Sequence, residues 1–115
     1  MATQQHPVSE NLRTFPRREL SLPMEISLWR RNEIQVINCL SRDISLRGAF
    51  LYTTELGFPK FRTLEVRILS LLNRTTVKSR ILARAVRKTD DGVAIEFRRA
   101  HNTILFALQQ LLTTA

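Results

Sequence analysis

Residues 76–97 have the sequence TVKSRILARAVRKTDDGVAIEF, and this stretch decides the fold class. Apolar side chains largely alternate with polar or charged ones over residues 76–87, which is the period of a β-strand with one buried face. The cluster Asp90-Asp91-Gly92 separates this run from a second one at residues 93–97. Because Asp-Gly between two such runs is a hairpin signal, the sequence predicts two antiparallel strands.

Four more strands are predicted upstream of this hairpin. Apolar side chains occupy every second position in residues 20–28 (LSLPMEISL), and residues 34–40 (IQVINCL) are rich in β-branched side chains. Residues 49–54 (AFLYTT) and 64–68 (LEVRI) follow, on either side of the breaker-rich segment ELGFPK. Because no helical period interrupts these runs, we expect a mainly β chain folded as an antiparallel barrel or sandwich.

The end of the chain changes to a helical period. The apolar positions with this spacing are Ile104, Leu105, Leu108, Leu111 and Leu112. They predict one α-helix over residues 102–113, with Asn102 or Thr103 as its N-cap.

The chain has the size and organisation of a single domain. Residues 1–11 are polar and aperiodic, and we expect them to form a flexible leader. The single domain is then expected over residues 12–115, with an arginine-rich arm at 12–18 and strands over 20–98. The C-terminal helix would cap the strands.

Net charge and arginine content indicate an anionic partner. The chain carries a formal charge of +8, and only three of its 18 basic residues are Lys, at positions 60, 78 and 88. A guanidinium forms paired hydrogen bonds with phosphates and guanine edges and stacks on flat rings, whereas an ammonium acts as a point charge. The composition therefore favours a ligand that combines phosphate with an aromatic base.

Several classes of protein are disfavoured. Cys39 is the only cysteine, so neither an intramolecular disulfide nor a cysteine-based zinc site can form. No apolar run approaches the roughly 20 residues that cross a bilayer, and the first residues lack the apolar stretch of a signal peptide. The sequence contains no catalytic-triad spacing, phosphate-cradling Gly-rich loop or metal-ligand cluster. We expect a cytoplasmic protein that is not an enzyme and has no metal ion or cofactor.

The first motif with candidate binding chemistry is RTFPR at residues 13–17. Arg13 and Arg17 lie four residues apart, Arg18 adds a third guanidinium, and Pro16 disfavours helix. In an extended segment these side chains can reach opposite sides of one anion. A solvated basic tether is the alternative interpretation.

The second motif is DISLRG at residues 43–48, predicted to be the loop between the second and third strands. Asp43 can accept hydrogen bonds from the N1–H and N2–H₂ groups of guanine, and Ser45 can bind a phosphate oxygen or brace the loop. Gly48 would let the backbone approach closely. The alternative is a local turn, in which Asp43 and Ser45 bond nearby amides and Gly48 has a positive φ.

Together, the two motifs resemble those of the PilZ family of bacterial proteins, which have RxxxR followed about two strands later by D/N-x-S-x-x-G. Arg13 and Arg17 match the first pattern; Asp43, Ser45 and Gly48 match the second. Leu22-Pro23 and the segment GVAIEF at residues 92–97 also resemble common strand sequences of that family.

This resemblance implies a six-stranded antiparallel β-barrel with cyclic di-GMP bound on its outer face. It further implies that Arg13 and Arg17 grip phosphates and the Hoogsteen edge of guanine, with Arg18 as a helper. Asp43, Ser45 and Gly48 would hold another guanine edge. The arm would become ordered with the ligand and be recognised by a protein effector that controls motility, adhesion or exopolysaccharide.

Two other functions remain as alternatives. A basic β-barrel could bind nucleic acid through phosphates, although a chain that is 7% aromatic offers few rings for stacking. A member of the same family could also act as a protein-interaction module without a ligand. The intact motifs favour the cyclic di-GMP receptor.

Overall fold

Six antiparallel strands form a closed barrel in a computed structural model, which describes residues 17–30, 32–54, 63–71 and 80–114. The strands are β1 Pro23–Arg30, β2 Glu33–Ile44, β3 Gly48–Tyr52, β4 Thr63–Ile68, β5 Ile81–Lys88 and β6 Val93–Ala100. Their order around the barrel is β1-β2-β3-β6-β5-β4, and pairing of β4 with β1 closes it. The predicted mainly β fold is confirmed, as a barrel and not as a sandwich.

The hairpin predicted from Asp90-Asp91-Gly92 joins β5 to β6. Lys88 is paired with Val93, and the Thr89 N–H donates to the Gly92 carbonyl at 2.8 Å. Within the described residues β5 begins at Ile81, so the predicted strand start at residue 76 lies outside them. The last strand continues three residues beyond the predicted end at Phe97, because Ala100 still pairs with Ile81.

A β-bulge interrupts the pairing of β2 with β3. Ser41 is paired with Leu51 and Asp43 with Phe50, so Arg42 is an extra residue without a cross-strand partner. Burial changes phase at this point: odd-numbered Ile37 and Ser41 face inward before the bulge, whereas even-numbered Ile44 is fully buried after it. The bulge therefore lets both Arg42 and Asp43 face the outside of the barrel.

The bulge also lengthens β2 beyond the predicted strand. The sequence predicts an end at Leu40 and a loop that contains the whole DISLRG motif, but β2 continues to Ile44 and β3 begins at Gly48. Only residues 45–47 connect the two strands. The prediction was wrong because two successive charged residues, Arg42 and Asp43, are typical of a loop. In the structure they lie in a strand, and the bulge allows both side chains to face outward.

Helix α1, Asn102–Thr114, covers one end of the barrel. Its buried side chains belong to the same apolar cluster as the inward residues of the strands and Leu71 of the short 3₁₀ turn Leu69–Leu71. The predicted N-cap was wrong by one or two residues: the Nδ1 atom of His101 accepts from the Thr103 N–H at 3.1 Å, as a capping Asn or Asp oxygen would. Within the described ranges, the structure contains no helix long and apolar enough to cross a membrane.

Gly48 generates a prediction about folding. A Cβ atom at this position would lie 2.2 Å from the Ile95 carbonyl oxygen, on the strand that pairs with β3. Because backbone atoms cannot yield without separating β3 from β6, Gly48→Ala should lower the free energy of unfolding by about 2–3 kcal/mol or more. Urea denaturation measures it, with the exposed Thr63→Ala as a near-neutral control. An equally stable Gly48→Ala variant would contradict this packing argument.

Candidate functional site

Asp43 lies at the centre of a charged cluster on the outer face of β2. Its Oδ1 atom accepts a hydrogen bond from Nη1 of Arg17, and its Oδ2 atom accepts one from Nε of Arg42 at 2.8 Å. The Asp43 side chain is only 10% exposed, whereas those of Arg17 and Arg42 are 53% and 44% exposed. One shielded carboxylate thus holds two guanidiniums that face solvent.

The two ion pairs explain why a carboxylate is tolerated in this shielded position. Removing a charged group from water costs free energy unless charge-assisted hydrogen bonds replace the lost hydration. Asp43 has such a bond on each oxygen. The Asp43 bond also raises the pKa of Arg42 above its ordinary value, so this guanidinium stays charged at any physiological pH.

Backbone contacts position Arg17 beside Asp43. Arg18 and Ile44 exchange two backbone hydrogen bonds, each of 2.9 Å, as a single antiparallel bridge. Further along, the Ser41 hydroxyl donates to the Leu20 carbonyl and accepts from the Leu22 N–H at 2.9 Å. The segment that leads into β1 is therefore fixed along the last part of β2, which corrects the prediction that residues 20–22 belong to the first strand.

Arg18 contacts the C-terminal end of the helix. Its Nη1 atom donates to the Leu112 carbonyl at 2.7 Å, one of the carbonyls that an α-helix leaves without an internal partner. A cation is also favourable at this end of the helix dipole. Arg17 and Arg18 thus have partners on the domain itself, while the rest of the predicted arm, including Arg13, lies outside the described residues.

Ser45 and Gly48 shape the short β2–β3 connection. The Ser45 hydroxyl accepts from the Arg47 N–H at 3.0 Å, and the Ser45 N–H donates to the Gly48 carbonyl at 2.9 Å. The local-turn alternative is therefore correct for Ser45. It is wrong for Asp43, whose partners are arginines, and for Gly48, which has no positive φ.

Sequence reasoning missed Arg42 and the two aromatic residues beside it. The Arg42 Cζ atom lies 3.9 Å from the centroid of the Phe50 ring, a cation–π contact. Tyr52 meets Phe50 edge-on, with 6.1 Å between ring centroids and 81° between ring planes. The only sequence signal for Arg42 was its position next to Asp43 in a predicted loop. Its contact with Phe50 depends on the register of β2 with β3, which the sequence does not give.

Three arginines on the outer face of β4, β5 and β6 are paired with two glutamates. Glu96 accepts from Arg84 and Arg98, each at 3.1 Å, and Arg80 pairs with Glu65 at 3.0 Å. Partial burial raises the pKa of Glu96, but the hydrogen bonds from Arg98 and Arg84 outweigh this and lower it overall. Among the residues described, no group of three or more His, Cys, Asp or Glu side chains could hold a metal ion.

Comparison with known proteins identifies the family. A family model described as the PilZ domain matches residues 11–113, almost the whole chain. The chain belongs to the PilZ domain family. PilZ domains are receptor modules for cyclic di-GMP and are in general not enzymes.

A solved structure agrees with this assignment at the level of the fold. The barrel is similar to the crystal structure of the PilZ domain of CeSA from a cellulose synthesizing bacterium, with a TM-score of 0.60 and 14% sequence identity. The similarity covers 84% of this chain and 93% of that one. No curated protein matches the chain significantly.

The anchoring by Ser41 of the segment that leads into β1 can be tested in this PilZ domain. Ser41→Ala removes the hydroxyl that serves the Leu20 carbonyl and the Leu22 N–H, so it should lower the free energy of unfolding by about 1–3 kcal/mol. Hydrogen exchange of the Leu22 amide should also accelerate. Ser27→Ala, at a half-buried position of β1, is the control. Unchanged stability and unchanged Leu22 exchange in Ser41→Ala would show that this hydroxyl does not hold the segment.

Proposed function

We propose that this chain is a cyclic di-GMP receptor that signals to a protein effector controlling motility, adhesion or exopolysaccharide. The observation that carries the proposal is the contact of Arg17 with Asp43. These residues belong to the two separate family motifs, 26 positions apart in the sequence, and they meet on one outer face of the barrel. That face offers guanidiniums for phosphate and a carboxylate for guanine.

In the proposed complex each motif residue has a role. Arg13 and Arg17 bind phosphate oxygens and the Hoogsteen edge of guanine, and Arg18 assists them. Asp43 accepts from the guanine N1–H and N2–H₂ groups, which adenine cannot donate in the same arrangement. Ser45 and Gly48 shape the connection that carries Asp43. The half-exposed guanidinium of Arg17 supports an exchange in which Arg17 moves from Asp43 to the ligand.

The proposed signal is a surface created by ligand binding. Phosphates would neutralise the arginines of the arm, which lowers their mutual repulsion and would let the part before Arg17 join Arg17 and Arg18 on the barrel. The ordered arm and the bound nucleotide would then form one surface for the effector. The fixed backbone of Arg18 supports this, because it gives the arm a defined starting point on the barrel.

Nucleic-acid binding is less well supported. On the described β4–β6 face, Arg80 is paired with Glu65, and Arg84 and Arg98 share Glu96, so these three guanidiniums are not presented to phosphates as a row of unpaired cations. Calorimetric titration with cyclic di-GMP, GTP and a short RNA separates the functions. A receptor binds cyclic di-GMP tightly and the others weakly, an RNA-binding barrel prefers RNA, and an interaction module binds none.

Arg17→Ala should weaken cyclic di-GMP binding by about 30-fold or more, because charge-assisted paired contacts are each worth about 1–3 kcal/mol. Isothermal calorimetry measures it, and unfolding curves check that the variant folds. Arg99→Ala, which removes the same charge near the end of β6, should change the affinity by less than about threefold. Equal affinities of Arg17→Ala and wild type would remove Arg17 from the mechanism.

Asp43→Ala should mainly reduce guanine selectivity. The substitution removes the acceptor for the guanine edge but leaves Arg17 for phosphate, so the affinity for cyclic di-GMP should fall and its preference over cyclic di-AMP should fall with it. Competition titrations with the two dinucleotides measure the preference. Glu33→Ala, which removes an exposed carboxylate at the start of β2, is the control. If Asp43→Ala kept the wild-type preference, guanine recognition would have to lie elsewhere.

A further inference from the structure

Arg42 is held more firmly than an ordinary surface arginine. Its Nε atom is bound to the Asp43 carboxylate at 2.8 Å, its guanidinium lies over the Phe50 ring at 3.9 Å, and its backbone is fixed in the β-bulge. Most surface arginines lose substantial side-chain entropy when they bind a ligand. For Arg42 much of this side-chain entropy is already lost when the domain folds, so less is lost on ligand binding.

One side of the Arg42 guanidinium faces solvent. Phe50 is only 2% exposed, while the Arg42 side chain is 44% exposed, so the guanidinium covers the ring and leaves its own outer side open. Tyr52, edge-on to Phe50 and 49% exposed, extends this surface. The three side chains form a layered platform on β2 and β3, directly beside Asp43.

This platform suits a flat aromatic base better than a compact anion. The Nε edge of Arg42 is occupied by Asp43, and the same carboxylate, which also binds Arg17, offsets part of the charge of Arg42. What remains open is the planar side of the guanidinium, on which nucleic-acid bases commonly stack. Lysine could supply the charge but not the plane.

We propose that Arg42 is a further base-binding residue of this site, and that its guanidinium, supported by Phe50, is the stacking platform for one base of the ligand. The proposal rests on the proposed cyclic di-GMP function and adds a residue from outside the two motifs. Because stacking does not distinguish guanine from adenine, Arg42 contributes affinity for a base, while Asp43 selects guanine.

The test is Arg42→Lys, which keeps the charge and removes the plane. Its affinities for cyclic di-GMP and cyclic di-AMP should both fall about tenfold, so their ratio stays at the wild-type value. Its affinity for inorganic pyrophosphate, which has no base, should change less than threefold. Arg99→Lys is the matched control and should leave all three affinities unchanged, and unfolding curves verify that each variant is folded.

Phe50→Leu provides a second, independent variant, because it keeps an apolar side chain but removes the ring beneath Arg42. If the two residues form one platform, the loss of cyclic di-GMP affinity in the double variant should equal that of the weaker-binding single variant. Independent residues would instead give a loss equal to the product of the two single losses. Multiplicative losses would overturn the shared platform.

The failures of the two hypotheses are distinguishable. A wild-type chain that does not bind cyclic di-GMP overturns the proposed function and this inference together. A wild-type chain that binds cyclic di-GMP while Arg42→Lys binds it equally well overturns only the inference. A loss of pyrophosphate affinity as large as the loss of dinucleotide affinity would overturn the inference, because it would show that the Arg42 guanidinium binds phosphate through its N–H groups and does not act as a stacking surface.

Discussion

The β-bulge at Arg42 is the constraint on which the candidate site depends. Without the extra residue, the alternation of β2 would direct Asp43 into the barrel and Ile44 out of it. With the bulge, Ile44 completes the core and two successive side chains of opposite charge face outward. The same pairing brings Phe50 opposite Asp43, so one strand register positions both the guanine acceptor and the ring that supports Arg42.

In the proposed complex, ligand binding would be an exchange of partners at Asp43. Both oxygens of Asp43 already have guanidinium donors, so the guanine edge proposed to bind there would share or replace one of them. Replacing one charge-assisted bond by another changes the free energy little. The net affinity would therefore come from contacts that form only with the ligand, namely those of phosphate with arginine and of a base with a stacking surface. Arg17 is suited to exchange because its side chain is the more exposed, whereas Arg42 is additionally held by Phe50.

Much of the fold could be predicted from the sequence, and the reasons differ among elements. The alternation of β4 and the Asp-Gly turn between β5 and β6 are local signals, so both predictions are confirmed. The bulge could not be predicted, because one extra residue is defined only against its partner strand. The His101 cap was missed because an imidazole is an uncommon substitute for Asn or Asp. Membership in the PilZ family was predictable from the two motifs, whereas the link between Arg42 and Phe50 needed the register of two strands.

The central claim is that cyclic di-GMP binds on the outer face of β2 and β3, at Arg17, Arg42 and Asp43. The most direct measurement is the change in backbone amide chemical shifts of the ¹⁵N-labelled protein as cyclic di-GMP is added. We predict that the largest changes map to residues 17–18, 41–48 and 50–52, with residues 80–84, in and beside β5, which pairs with neither β2 nor β3, little affected. Largest changes on β4, β5 or α1, or no changes at saturating ligand, would contradict it.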